Sequence, residues 1–419
     1  MSANAFMGGS VPQCRHCDAH LRHTLVDLGS SPLCNTLLDE DALQGGEPFY
    51  PLHVRVCDQC FLAQLGQFVS PEEIFEEYSY FSSFSDSWVA HAEAYVCSMI
   101  ERFSLDSSSK VIEVASNDGY LLRHFVARSI AVLGVEPALN VALEARRSGI
   151  PTLTEFLGSE SGSAIRAQHG AADLVVANNV LAHTPHLNDF ISGLRRLLKD
   201  EGVVTVEFPH LMRLIEHNQF DTIYHEHFSY FSFYAVERVF ASGDMRIFDV
   251  EELSTHGGSL RIYAVRDDSS RPDNTARLTA MREFERSRGV TDLDMYSSFS
   301  ARVEATKRDL LECLIGLRRA GERIVGYGAP GKGNTLLNYC GIRTDFIEYL
   351  VDRNPYKQGK FTPGTRIPIR SPDVIAETKP DYVLIMPWNL KDEILGQLDY
   401  ARSWGAKFIV PIPRPTVEE

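Results

Sequence analysis

The stretch Lys110-Val-Ile-Glu113-Val-Ala-Ser-Asn117-Asp118-Gly119-Tyr-Leu-Leu122 decides how the fold is read. It is a strand-like apolar run carrying one acid, then a polar turn with glycine, then the apolar start of a helix. Outward from it the plan repeats. Residues 131–135 form a second strand ending in Glu136-Pro137, and residues 172–177 form a third that runs into Asn178, Asn179 and His183. A helix over 187–198 and a strand over 202–208 follow. Such alternation implies a parallel sheet covered on both faces, with ligands at the carboxyl ends of its strands. The turn is neither the G-x-G-x-x-G of a dinucleotide site nor the G-K-[ST] of a P-loop. Glu113, the Asn117-Asp118-Gly119 turn and the acid closing the second strand suit a positively charged cofactor bearing adenosine, and Ala115 and Asn178 are further candidate cofactor-binding residues. Glu136 is set to accept both ribose hydroxyls, so S-adenosylmethionine fits better than NAD.

Upstream, Cys14, Cys17, Cys57 and Cys60 form two C-x2-C pairs. In a reducing compartment these read as structural zinc, because four thiolates close a tetrahedral shell and leave no open position. A redox pair is the competing reading, but no thioredoxin-like βαβ pattern surrounds either one. The chain of 419 residues suffices for two or three domains. Its net charge of -15 argues against a nucleic-acid groove and against a basic membrane-facing patch. No apolar run approaches the roughly 18 residues of a membrane span. Residues 1–10 lack the charged and apolar regions of a secretory signal, so a cytoplasmic protein is expected.

The expected fold class is α/β: an S-adenosylmethionine-binding Rossmann-like domain flanked by an N-terminal zinc module and a C-terminal second Rossmann-like domain. The expected boundaries are 1–70 for the zinc module, 71–247 for the methyltransferase domain and 248–419 for the C-terminal domain. Tyr78-Ser-Tyr80-Phe81-Ser-Ser-Phe84 reads as a substrate-facing loop or an interdomain strap, followed by a helix over 86–103. Beyond residue 248, two strands flank His256-Gly257-Gly258, charged helices run over 275–320, and Gly328-Ala-Pro-Gly331-Lys332-Gly333-Asn334 opens a helix after a strand. Backbone N–H groups of such a loop can meet a phosphate, with Lys332 adding a charge. A tight turn without a ligand is the plainer alternative.

Tyr224-His225-Glu226-His227 concentrates four proton-handling side chains. In an extended or tightly turned segment residues two apart share a side, so His225 and His227 are expected together, whereas on a helix they would diverge by roughly 200°. The spacing does not fit the H-E-x-x-H of a zinc site. A polar cluster supporting a buried loop is the bland alternative; the surrounding domain favours acid–base work.

The four-cysteine module, I-E-V-A-S-N-D-G-Y-L-L, Y-H-E-H-F-S-Y-F, H-G-G-S-L-R and G-Y-G-A-P-G-K-G-N-T occur in this order over nearly the whole chain. Together they resemble the sugar C-methyltransferases of deoxysugar biosynthesis. The resemblance implies transfer of a methyl group to C3 of a nucleotide-linked, dTDP-type 4-keto-6-deoxy sugar. That chemistry needs a base for the C3 proton and a donor for the enolate oxygen at C4. His227 is the candidate base, directly or through Tyr224, with Glu226 orienting it or fixing its tautomer. His225 or His183 would donate to the enolate oxygen. Tyr78 resembles a residue that reaches the sugar, and Gly331, Lys332, Gly333 and Asn334 would lie near the diphosphate. Ala115 departs from the glycine expected there, and its β-carbon is accommodated if φ is negative. Three interlocking modules are compatible with a monomer. Two other classes also fit: an O- or N-methyltransferase of a small molecule, which needs no keto group, and a zinc-containing scaffold that would not bind the cofactor tightly.

Overall fold

A computed structural model of the chain describes residues 11–75 and 81–419; Tyr78 lies outside them. The strands are β1 (His23–Ser31), β2 (Tyr50–Val56), β3 (Ala63–Leu65), β4 (Lys110–Val114), β5 (Ala131–Val135), β6 (Thr152–Leu153), β7 (Ala172–Val176), β8 (Leu198–Pro209), β9 (Ser229–Tyr230), β10 (Met245–Leu253), β11 (Ser259–Arg266), β12 (Ile324–Tyr327), β13 (Leu350–Val351), β14 (Ile369–Arg370), β15 (Tyr382–Ile385), β16 (Lys407–Val410) and β17 (Thr416–Glu418). They form three sheets.

The central sheet has the order β10-β11-β8-β7-β4-β5-β6. Its members from β6 to β8 are parallel, while β11 runs antiparallel to both β8 and β10. Val111, Ile112, Leu174, Val175 and Val204 are fully buried, as strands covered by helices on both faces require. The boundary expected at 247/248 falls inside β10 and is corrected here. β10 and β11 complete the central sheet, because β11 pairs with β8 across about fifty intervening residues. The Gly-Gly turn between them reads locally as the start of a new unit, and nothing local reveals the distant partner.

The C-terminal sheet has the order β14-β13-β12-β15-β16-β17 and is parallel except for β17. The strand expected over 346–352 is reduced to β13. The N-terminal sheet is antiparallel, β1-β2-β3-β9. Its last strand, β9, comes from the middle of the chain, two residues after His227. The zinc module therefore grips the segment that carries the acid–base cluster.

Packing reinforces that wedge. Cys14, Cys57 and Leu62 share a core with Ile112, Val206 and Phe231 of the central domain. Leu25 and Val54 share another with Tyr296 and Phe299 of the helix Leu293–Arg319 and with Ile324 of the C-terminal sheet. The helix Asp86–Phe103 starts where Ser85 Oγ accepts Trp88 N–H, an N-cap that satisfies one orphan amide. It carries Trp88 and His91 on one face, three residues apart, with their rings stacked 5.0 Å apart.

Candidate active site

In the zinc module the four sulfurs lie within 4.8 Å of one another. Cys14–Cys60, Cys17–Cys57 and Cys17–Cys60 are 3.6, 3.5 and 3.7 Å apart. A regular tetrahedron with Zn–S bonds of about 2.3 Å has edges of roughly 3.8 Å, so the sulfurs fit the ion closely. The two knuckles are alike. Asp18 N–H returns to Cys14 O and Phe61 N–H to Cys57 O, each at 3.0 Å, with Asp18 and Phe61 left-handed. Gln64 Nε2 donates to Cys14 Sγ at 3.1 Å, an outer contact of the kind that orients a metal ligand.

The cofactor turn is built from alternating left-handed residues: Ala115 (φ 56), Asn117 (φ 50) and Gly119 (φ 78). At Ala115 φ is positive, so the condition under which its β-carbon sits without strain is not met. Its N–H is committed to Val135 O at 2.7 Å, and the chain must reverse at once into the next helix. Glu136 closes β5 with each carboxylate oxygen accepting a backbone N–H at 2.9 Å, from Asn117 and Ala138. Burial raises this carboxyl to about 7 against the pull of those two bonds. Asn117 Oδ1 and Asp118 Oδ2 accept Ser82 N–H and Ser83 N–H, tying segment 81–84 over the turn. Glu113 sits beneath it, and burial, then the charge of Glu136, push its carboxyl well up. Ser116 Oγ and Asn178 Oδ1 are buried without a partner among the described residues. A polar wall with unmet hydrogen-bonding capacity fits the ribose and amino-acid ends of S-adenosylmethionine.

This wall opens onto a cavity of about 940 Å³. Ala115, Asn117, Glu136, Asn178, His183, Tyr224, Glu226, His227, Gly331 and Lys332 line it. Glu113, Asp118, Gly119, His225, Gly333 and Asn334 do not. A β-carbon on Gly333 would lie 3.1 Å from Met386, so this glycine serves close packing. The Asn334 side chain is buried with neither polar atom partnered among the described residues.

The shared side expected for His225 and His227 is corrected as well. His227 N–H returns to Tyr224 O at 2.9 Å, closing a tight turn in which alternation fails. His225 swings into the zinc module, its Nε2 3.2 Å from Tyr50 O and 3.3 Å from Pro51 O, and takes no part in the cavity. His227 Nδ1 lies 2.9 Å from Thr222 O, so that nitrogen carries the proton and Nε2 keeps its lone pair. The tautomer is therefore set by Thr222, not by Glu226. Burial, then His183, hold His227 well below its ordinary value, which keeps it neutral. The rings of Tyr224 and His183 lie 4.0 and 4.8 Å from that of His227. Burial lowers His183 to about 4, opposed by a hydrogen bond to the Glu226 main-chain carbonyl. Neutral imidazole has one N–H, and here it is spent on that carbonyl.

Glu226 is held instead by the zinc module. Asn35 Nδ2 donates to its Oε1 at 2.6 Å and the Cys34 thiol to the same oxygen at 3.5 Å. Burial raises this carboxyl, while Asn35, Cys34 and Lys357 pull it back. Across the cavity, Lys332 donates to Asn389 Oδ1 and lies 4.6 Å over the Trp388 ring. Trp388 Nε1 in turn donates to Asp221 at 2.7 Å. Burial lowers Lys332 to about 8 against the charge of Asp221. Asn35, Trp88, His256 and Lys357 also line the cavity and were missed as site residues. Only His256 had a visible signal, in its H-G-G-S-L-R setting.

Three family models match in tandem: a putative zinc binding domain over 14–75, a methyltransferase domain over 88–244 and a C-methyltransferase C-terminal domain over 254–413. C-methyltransferase NovU from Streptomyces niveus is 37% identical over 410 residues, spanning 97% of both chains. The chain belongs to the C-methyltransferase family. This C-methyltransferase depends on S-adenosylmethionine, and its zinc-binding cluster is Cys14, Cys17, Cys57 and Cys60. Among the described residues no helix is long and apolar enough to cross a membrane. Solved structures resemble part of the C-methyltransferase at low identity. The PH0226 protein from Pyrococcus horikoshii OT3 is 14% identical, with a TM-score of 0.36 over 48% of this chain and 99% of that one. Magnesium protoporphyrin IX methyltransferase from Synechocystis PCC 6803 is 15% identical, with a TM-score of 0.35 over 48% of this chain and 100% of that one.

Proposed function

We propose that this C-methyltransferase methylates C3 of a nucleotide-linked, dTDP-type 4-keto-6-deoxy sugar by abstracting the C3 proton. The reading rests on one observation above the rest: a neutral His227, with Nε2 unprotonated, shares a single cavity with the cofactor acid Glu136. S-adenosylmethionine, when bound, supplies an electrophilic methyl group. The chain's own residues supply the remainder. His227 Nε2 takes the proton from C3, and the Thr222 carbonyl holds the resulting imidazolium through Nδ1–H. Tyr224, against the His227 ring, shapes the approach of the acceptor. Glu226 keeps Oε2 without a protein partner among the described residues, so it can accept a hydrogen bond from the acceptor. Gly331 and Lys332, which line the same cavity, receive the diphosphate.

The test is deuterium exchange at C3 of a dTDP-4-keto-6-deoxy sugar with S-adenosylhomocysteine in the cofactor site. Wash-in that His227→Ala abolishes is expected. No wash-in by a protein that still binds S-adenosylmethionine would sink the C3 reading in favour of an oxygen or nitrogen acceptor.

A further inference from the structure

H-G-G-S-L-R lies between β10 and β11, and the mechanism above leaves its histidine unused. His256 is left-handed (φ 54, ψ 20), a conformation that a non-glycine residue keeps only where its surroundings impose it. The two glycines after it show what imposes it. A β-carbon on Gly257 would lie 2.6 Å from Gln219 Nε2 and 2.7 Å from the Trp388 ring, and one on Gly258 would lie 2.8 Å from Arg213. Gln219 Nε2 donates to Gly257 O at 2.7 Å, and Gly258 N–H returns to Thr255 O at 2.9 Å. The loop is thus wedged against the walls of the cavity and delivers one imidazole into it.

That imidazole differs from its neighbours. His227 spends its N–H on Thr222 O and His183 spends its own on the Glu226 carbonyl. The ring nitrogens of His256 have no hydrogen-bond partner among the described residues; its ring only packs on Trp88, 5.0 Å away. Trp88 is itself stacked on His91, whose Nε2 lies 3.0 Å from Glu207 Oε2. His256 and His227 line the same cavity, so a donor and the base face one enclosed space.

We propose that His256 is a catalytic residue, its neutral imidazole N–H donating a hydrogen bond to the carbonyl oxygen of the acceptor as that oxygen becomes an enolate. The proposal rests on the C3 reaction above. In that reaction the C3–H bond breaks and its proton passes to His227 Nε2. The electron pair moves into the C3–C4 bond, and negative charge develops on the C4 oxygen facing His256. The new C–C bond then forms at the methyl carbon as its bond to sulfur breaks, the sulfonium becomes a neutral thioether, and the carbonyl returns. His256 keeps its proton throughout. Burial, with Lys332 nearby, lowers His256 to about 4, so it works as neutral imidazole, a form able to polarise a carbonyl.

The test measures C3 exchange with S-adenosylhomocysteine bound, steady-state turnover, and S-adenosylmethionine affinity in His256→Phe and His256→Gln. His256→Phe keeps a ring on Trp88 and removes the donor. It is expected to slow exchange and kcat together by about 10²–10³, with KM for the sugar and cofactor affinity little changed. His256→Gln retains an N–H and is expected to recover part of the loss. Exchange in His256→Phe equal to wild type overturns the proposal, as does a rise in KM with kcat intact. No recovery in His256→Gln also overturns the donor role. Wild-type protein that exchanges no C3 proton removes the C3 reading and this proposal with it, whereas exchange that is insensitive to His256 removes the proposal alone.

Discussion

Asn35→Ala should alter the pH dependence of this enzyme while leaving its cofactor site alone. Asn35 Nδ2 sits 2.6 Å from Glu226 Oε1, and the weaker Cys34 thiol, at 3.5 Å, is the other donor on that oxygen. Glu226 is buried, so its carboxyl is already raised, and every partner that favours the charged form pulls it back. A hydrogen bond to a charged group contributes about 1.5–3 kcal/mol. Removing it therefore raises the carboxyl further, by about 1–2 pH units at roughly 1.4 kcal/mol per unit. If turnover needs ionised Glu226, activity rises with pH through this ionisation, and the acid limb of kcat moves upward by that amount in Asn35→Ala. The high-pH plateau should largely survive, as should the affinity for S-adenosylmethionine. The assay is kcat against pH for both proteins, with cofactor binding measured at each end. An unmoved limb would refute the reasoning. So would an equal loss at every pH, which would mean that Asn35 supports structure rather than the charge of Glu226.

Other outcomes follow from the same geometry. Glu136, raised to about 7 without cofactor, must be ionised to accept the ribose hydroxyls, so S-adenosylmethionine affinity should fall roughly tenfold from about pH 8 to about pH 6. Titration calorimetry checks this, and Glu136→Gln should bind weakly with no such dependence. Cys57→Ser should cost zinc and solubility, since the metal and the module fold together; a soluble, fully active, zinc-free protein by metal analysis would refute this. Ala115→Gly relieves a left-handed alanine worth about 1–2 kcal/mol but loosens the unfolded chain by about 0.5–1 kcal/mol. Denaturant unfolding should show it neutral to slightly stabilised, and a clear destabilisation would contradict the strain assigned to Ala115.

Much of the architecture was legible because its causes are local. Two residues between cysteines, an acid closing a strand, and apolar strands alternating with helices are set by near neighbours in the chain. Hence the zinc cluster and the parallel part of the central sheet could be read from the sequence. The turn at Tyr224–His227 was visible as chemistry but not as geometry. Alternation holds only for extended backbone, and one hydrogen bond from His227 N–H to Tyr224 O was enough to send His225 the other way. The strand pair around His256 looked like the start of a new domain because its partner, β8, is distant in sequence.

By itself, the sequence determined which reactive groups this enzyme owns: four thiolates for a metal, an acid closing the second strand of the central sheet, and a cluster of imidazoles and phenols. Tertiary structure decided which of them face one another. Asn35 reaches Glu226 across 191 residues of chain, and His256 enters the cavity only because β10 and β11 dock on β8. Hydrogen-bond partners and proton positions depend on such contacts, and contacts between distant residues exist only once the chain has closed on itself. For that reason the sequence could name the candidate acids and bases, and only the fold could say which nitrogen keeps its proton.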